Sequence, residues 1–145
     1  MTPFMTPHQI ELVQKSFAQV APIAATAADL FYARLFQTAP ELRPLFPDDL
    51  SEQKKKLMAM LGTVVTSLPR FHALMPAVRA LGRRHKDYGV TSEHFYPVGA
   101  ALIWTLQKGL GEAFTEEVAD AWVTVYATIS KAMMEAAADE QPKAA

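Results

Sequence analysis

The sequence contains no cysteine, and that one absence removes a disulfide framework, thiolate zinc or iron–sulfur sites and thiol catalysis from consideration. A reducing, cytoplasmic setting is the simplest expectation. Charge is nearly absent in net terms: 14 Lys and Arg stand against 15 Asp and Glu, leaving −1. That is too little to build the basic field a nucleic-acid partner requires. No run approaches about 18 consecutive apolar residues, and the opening MTPFMTPHQ lacks a basic segment followed by an apolar one. Neither export nor membrane insertion is therefore expected. CxxC, GxGxxG, P-loop, HExxH and GxSxG patterns are all missing, as are alternating strand patterns and hairpin turns.

What is present is helical. The 145 residues, half of them apolar, make one domain that buries roughly 68 to 70% of its unfolded surface. An ordered core is expected over residues 6–135, with a frayed tail from residue 136. Thr6, Pro7 and Gln9 have the order of a capping box with proline at the first helical position. Ile10, Val13, Phe17 and Val20 then form a buried stripe, which Pro22 ends. A second helix over residues 23–38 turns Ala25, Ala28, Leu35 and Phe36 inward, with Tyr32 in the middle of that face. The proline-rich 39–47, APELRPLFP, suits a short turn carrying Phe46. Asp48, Asp49 or Ser51 caps a third helix reaching residue 68, whose apolar face holds Leu50, Leu57, Met60, Leu61 and Val64, and also Gln53. Lys54, Lys55 and Lys56 point to solvent.

After Pro69 an irregular stretch is expected, and Pro76 begins the next helix, which stops at Gly89. At about 100° per residue, Leu74, Val78, Leu81 and Gly82 fall within about 60° of His85, so the imidazole faces inward. Thr91 or Ser92 caps a helix with Phe95, Val98, Leu102 and Leu106, in which Pro97 is tolerated if regular structure begins near it. Gly109 and Gly111 close that helix. Thr115 caps the last, with Glu116 and Glu117 favourable to its dipole and Val118, Trp122, Val125, Ile129 and Met133 inward. The fold class is all-α, with six to seven helices enclosing a pocket.

Three inward polar groups, Tyr32, Gln53 and His85, then stand on three helices. Each separately fits a core polar group bonded to backbone or water. A shared cavity is more economical than three independent burials. A lone histidine cannot hold zinc, whereas iron in a porphyrin needs only one protein ligand.

In this order and spacing, DLFYARLF at 29–36, ELRPLF at 41–46, QKKKLM at 53–58, LGRRHKDYGV at 81–90 and AFTEEVADAWVTVY at 113–126 resemble the globin superfamily. The likeness is to bacterial single-domain globins, to the haem domain of flavohaemoglobins and to neuroglobin. The resemblance implies haem b (iron protoporphyrin IX), His85 as its iron ligand, Phe46 packed on the ring, and Tyr32 and Gln53 beside bound O2. It makes Leu57, Leu81, Val90, Phe95 and Val98 walls of the pocket, with Arg84 or Lys86 near a propionate and a lysine among 54–56 a weaker alternative. His8, His72 and His94 lie off that site.

The expected function is reversible binding of O2 and other diatomic gases such as CO and NO, by a monomer or weak homodimer without nucleic-acid or membrane partners. An alternative is nitric oxide dioxygenase activity with an external reductase. A gas sensor or haem-free interaction domain is a third reading. Flavohaemoglobins carry a tyrosine and a glutamate on the proximal side where this chain has Phe95 and Ala137, which weakens a peroxidase-like assignment. Neuroglobins use a distal histidine where this chain has Gln53, so ligation of iron by two histidines is not expected.

Overall fold

The first and last helices open on side-chain caps, whereas the α-helices between them continue from tight turns without one. A computed structural model describes residues 5–139. It has α1 (Pro7–Val20), α2 (Ala24–Thr38), α3 (Ser51–Ser67), α4 (Phe71–Asp87), α5 (Phe95–Leu110) and α6 (Glu116–Asp139). Tight 3₁₀ turns at Ala21–Ile23, Pro40–Leu45, Leu68–Arg70, Ser92–His94 and Gly111–Ala113 join them. No strand occurs among the described residues.

The capping box of α1 is complete, with the Gln9 amide N–H donating to Thr6 Oγ1 and the Thr6 N–H to Gln9 Oε1, both at 3.0 Å. Thr115 receives the Val118 N–H at 3.2 Å and opens α6. Pro97 is the third residue of α5, where a missing N–H costs no intrahelical bond.

The core is centred on Trp122, Leu35, Leu42, Leu68, Val13 and Val78, all essentially inaccessible. α4 lies chiefly against α6 and α2 against α5, and α1 also rests on α6. The Trp122 indole N–H donates to Ser16 Oγ at 2.8 Å, and Ser16 donates on to the Leu12 carbonyl at 2.7 Å. This chain satisfies the polar groups that α1 and α6 bury between them. Glycines set two close approaches. A Cβ on Gly82 would lie 2.4 Å from the Met133 carbonyl oxygen, and one on Gly99 2.6 Å from the Tyr126 ring.

Three expectations are corrected. Residues 71–75 are helical, not irregular, and Pro76 lies inside α4. Its ring removes only the N–H that would bond residue 72, and burial of Leu74 and Val78 against Met133 and Ala132 holds the segment. Ala25 is exposed, and the buried face of α2 is Ala27, Ala28, Phe31, Tyr32 and Leu35. Finally, α6 runs past residue 136 to Asp139, with Ala136 at 0% exposure; the rest of the expected tail, residues 140–145, lies outside the described residues.

By length and composition alone, Ser51–Asp87 is apolar enough to cross a membrane. It is two helices with a proline-containing turn between them. Its apolar side chains serve the core: Leu57, Leu61 and Val65 from α3, and Leu74 and Val78 from α4.

Candidate functional site

His85 sits in the last turn of α4, two residues before its end at Asp87. Gly89 has φ +94°, the left-handed conformation that favours glycine. The Val90 N–H donates to the His85 carbonyl at 3.0 Å and the Gly89 N–H to the Lys86 carbonyl at 2.9 Å, the paired bonds of a Schellman termination. The backbone around His85 is thereby held from both sides. The imidazole is half-buried, with Nδ1 2.8 Å from the Leu81 carbonyl oxygen. A carbonyl only accepts, so Nδ1 carries the proton and Nε2 keeps its lone pair. Burial pushes the imidazole pKa below the usual histidine value, with the charge of Arg84 adding to the shift and the Leu81 bond opposing it. His85 thus presents a neutral, oriented imidazole with an unprotonated Nε2.

Tyr32 is 3% exposed, and its ring is held edge-on by Phe31 at 4.9 Å and Phe46 at 5.7 Å between centroids. Phe36 closes the aromatic group at 5.9 Å from Tyr32 and 5.4 Å from Phe46. Burial raises the phenol pKa, and a hydrogen bond with the Gln53 side chain opposes part of that rise. Two of the three polar residues anticipated as inward, on α2 and α3, are therefore neighbours. Their helices converge at the N-terminal end of α3, where the Lys54 ammonium meets Asp29 of α2 at 2.9 Å. The end of α4 is brought to the turn that carries Phe46: Leu45 Cδ2 would lie 3.4 Å from a Cβ on Gly89.

The other anticipated residues fall as follows. Phe46, Leu57, Leu81, Val90, Phe95 and Val98 are all half-buried apolar groups, and Arg84 is exposed. Lys86 reaches across to the Ala137 carbonyl at 3.4 Å, so its ammonium is engaged with α6. His8 bonds Glu117 at 3.2 Å. His94 completes a second capping box, receiving the Thr91 N–H at 3.0 Å on Nδ1. That role was hidden in the sequence because histidine is a rare partner there. His85 finds the backbone carbonyl expected for an inward polar group, that of Leu81 one turn earlier on its own helix.

The donor set fits a haem iron: one neutral imidazole nitrogen with a free lone pair, and a buried tyrosine beside a glutamine. Among the described residues no group of three or more His, Cys, Asp or Glu is placed to hold a bare metal ion.

Comparison with known proteins bears on the family and the fold. The chain is similar to the Bacillus subtilis flavohemoprotein, 27% identical over 128 residues that are 86% of this chain and 32% of that protein, so it spans about a third of that relative's length. Neuroglobin of Danio rerio is 30% identical over 136 residues, 84% of this chain and 86% of the relative. Among solved structures, a bacterial globin from Campylobacter jejuni superposes with a TM-score of 0.76 at 23% identity, covering 92% of this chain and 97% of that one. An engineered carbene transferase, provisionally assigned as a nitric oxide dioxygenase from Rhodothermus marinus, superposes at 0.83 with 24% identity over 93% and 94%. These likenesses make the fold globin-like. The globin family model matches residues 29–133, and the chain belongs to the globin family.

Proposed function

We propose that the protein holds haem b (iron protoporphyrin IX) through His85 and binds O2 and other diatomic gases reversibly. Membership of the globin family and similarity to a flavohemoprotein imply the haem cofactor, and the observation that carries its placement is the anchored, neutral imidazole. When bound, the haem supplies an iron centre able to take a diatomic gas. Everything else is the work of side chains. The Leu81 carbonyl holds the His85 ring in one tautomer and at one angle. A carbonyl is a weaker acceptor than a carboxylate, so the imidazole gains little anionic character, in keeping with gas binding over peroxidase-like chemistry. Phe46, Leu57, Leu81, Val90, Phe95 and Val98 would wall the ring, and exposed Arg84 is free to meet a propionate.

On the other side, burial keeps the Tyr32 hydroxyl protonated at neutral pH. With the Gln53 amide donating to the phenol oxygen, the phenolic hydrogen is available to a gas carrying partial negative charge. Such a donor favours O2 over the less polar CO. A second reading, nitric oxide dioxygenase activity, draws on the flavohemoprotein similarity. Its electrons would come from a reductase outside these 145 residues.

The test of the first reading is spectroscopic. Purified or haem-reconstituted protein is expected to show a Soret band that His85→Ala abolishes or shifts to a weakly ligated form. A colourless wild type after reconstitution would sink both readings. Sustained NO consumption with an added cellular reductase, rather than a single turnover, would favour the second.

A further inference from the structure

Between the turn Pro40–Leu45 and the start of α3 at Ser51, the chain runs through five residues, 46–50, that form neither helix nor strand. Such a stretch leaves its carbonyls without helical or ladder partners, and Pro47 brings no N–H of its own. Arg43 supplies what is missing. Its Nη1 donates to the Phe46 carbonyl at 3.3 Å and to the Pro47 carbonyl at 2.9 Å, and its Nη2 donates to the Asp48 carbonyl at 3.0 Å. One planar fork thus fixes three successive peptide groups, a geometry that the compact ammonium of a lysine does not reproduce.

The same guanidinium lies 5.1 Å from the centre of the Phe36 ring. Phe36 in turn packs with ring centres 5.9 Å from Tyr32 and 5.4 Å from Phe46, so one contact of Arg43 leads to the aromatic group that holds the phenol. Its other contacts lead to Gln53. Past Asp48, the Asp49 carboxylate accepts the Ser51 N–H at 2.9 Å and the Leu50 carbonyl accepts the Lys54 N–H at 2.9 Å. Gln53 stands in the first turn of α3, which these bonds open. Arg43, itself half-buried, is therefore connected to both members of the pair through short chains of contacts.

We propose that Arg43 is a positioning residue for the Tyr32–Gln53 pair: by fastening residues 46–48 and stacking on Phe36, it sets where the phenol hydroxyl and the amide stand relative to each other. Its effect on bound O2 rests on the reading of that pair as the groups beside the gas. Arg43→Lys keeps the charge and removes the fork. In the haem-loaded protein it is expected to speed O2 dissociation about threefold, less than outright loss of the Tyr32 donor, and to shift or broaden the infrared C–O stretch of the CO form, with the Soret band retained. Asp49→Ala, at an exposed position, cuts the same path further along and is expected to act in the same direction. A double variant with Tyr32→Phe separates positioning from general loosening: Arg43→Lys should leave O2 dissociation unchanged once the hydroxyl is gone. An equal acceleration in the Tyr32→Phe background would overturn the proposal, as would wild-type O2 dissociation and C–O stretch in both Arg43→Lys and Asp49→Ala. A wild type without a Soret band would remove the haem reading instead. The role of Arg43 is then decided by NMR of the haem-free chain, where a Gln53 side-chain amide resonance moved by Arg43→Lys supports it and one left in place overturns it.

Discussion

At the scale of single residues, the candidate site is defined by protonation states that burial sets. Tyr32 has little solvent and one polar partner, Gln53, so its hydrogen is a donor at every physiological pH. Replacing it by Phe removes one neutral donor worth about 0.5 to 1.5 kcal/mol. Stopped-flow measurement should then show O2 dissociation faster by roughly 2- to 12-fold, with CO dissociation changed less; equal rates would remove the donor from the mechanism. Tyr126 gives a test independent of any ligand. Its hydroxyl donates to the Phe95 carbonyl at 2.6 Å, and desolvation raises its pKa well above the ordinary tyrosine value. The unfolded chain ionises first, at about pH 10. This contribution is therefore complete below about pH 10 and is lost as pH rises toward the folded value. Urea titrations at about pH 7 and about pH 11 should show the wild type losing more stability between them than Tyr126→Phe. At neutral pH the variant is expected to be less stable by about 1 kcal/mol. Tyr32, His85 and Gln53 were legible as inward residues from helical periodicity. The bond partners were not, since Leu81 O and the α2–α3 contact exist only once side chains have rotamers and neighbours.

At the scale of elements, starts and stops follow from local chemistry, and crossings follow from side-chain volume. The caps at Thr6 and Thr115 and the termination at Gly89 could be read in order because each needs only residues within one turn. Pro76 shows where that reading fails: an isolated proline looks like a beginning, yet the helix starts at Phe71 because tertiary burial outweighs one missing hydrogen bond. The same limit applies to Gly82. Its importance lies in Met133, 51 positions away, whose backbone would meet any Cβ there at 2.4 to 2.9 Å. Gly82→Ala must push α4 from α6, and His85 is carried on α4. An overpacking cost of about 1 to 3 kcal/mol is expected in chemical denaturation, together with weaker haem retention in transfer to apomyoglobin. Alanine at half-buried position 109, a helical glycine with only ordinary contacts, serves as the control and should not destabilise the protein.

For the whole molecule, the last turn of α6 belongs to the core. Ala136 is completely buried, and the Ala137 carbonyl receives the Lys86 ammonium at 3.4 Å. Deleting residues 136–145 is therefore expected to lower the thermal midpoint, while deleting residues 141–145 alone should not; equal midpoints for both would return residue 136 to a frayed tail. A polar, alanine-rich ending reads as tail from composition, since alanine signals helix without saying what covers it. Local patterns in the residues were enough for an all-α chain of about six helices, the caps at Thr6 and Thr115, the inward faces of most helices and the globin resemblance. These follow from 3.6-residue periodicity and one-turn hydrogen bonding. Long-range packing was needed to show that Tyr32 meets Gln53, that His85 presents Nε2 with its lone pair and that Gly82 lies on Met133. Each of those depends on distances between helices, which arise from packing volume rather than from any local pattern.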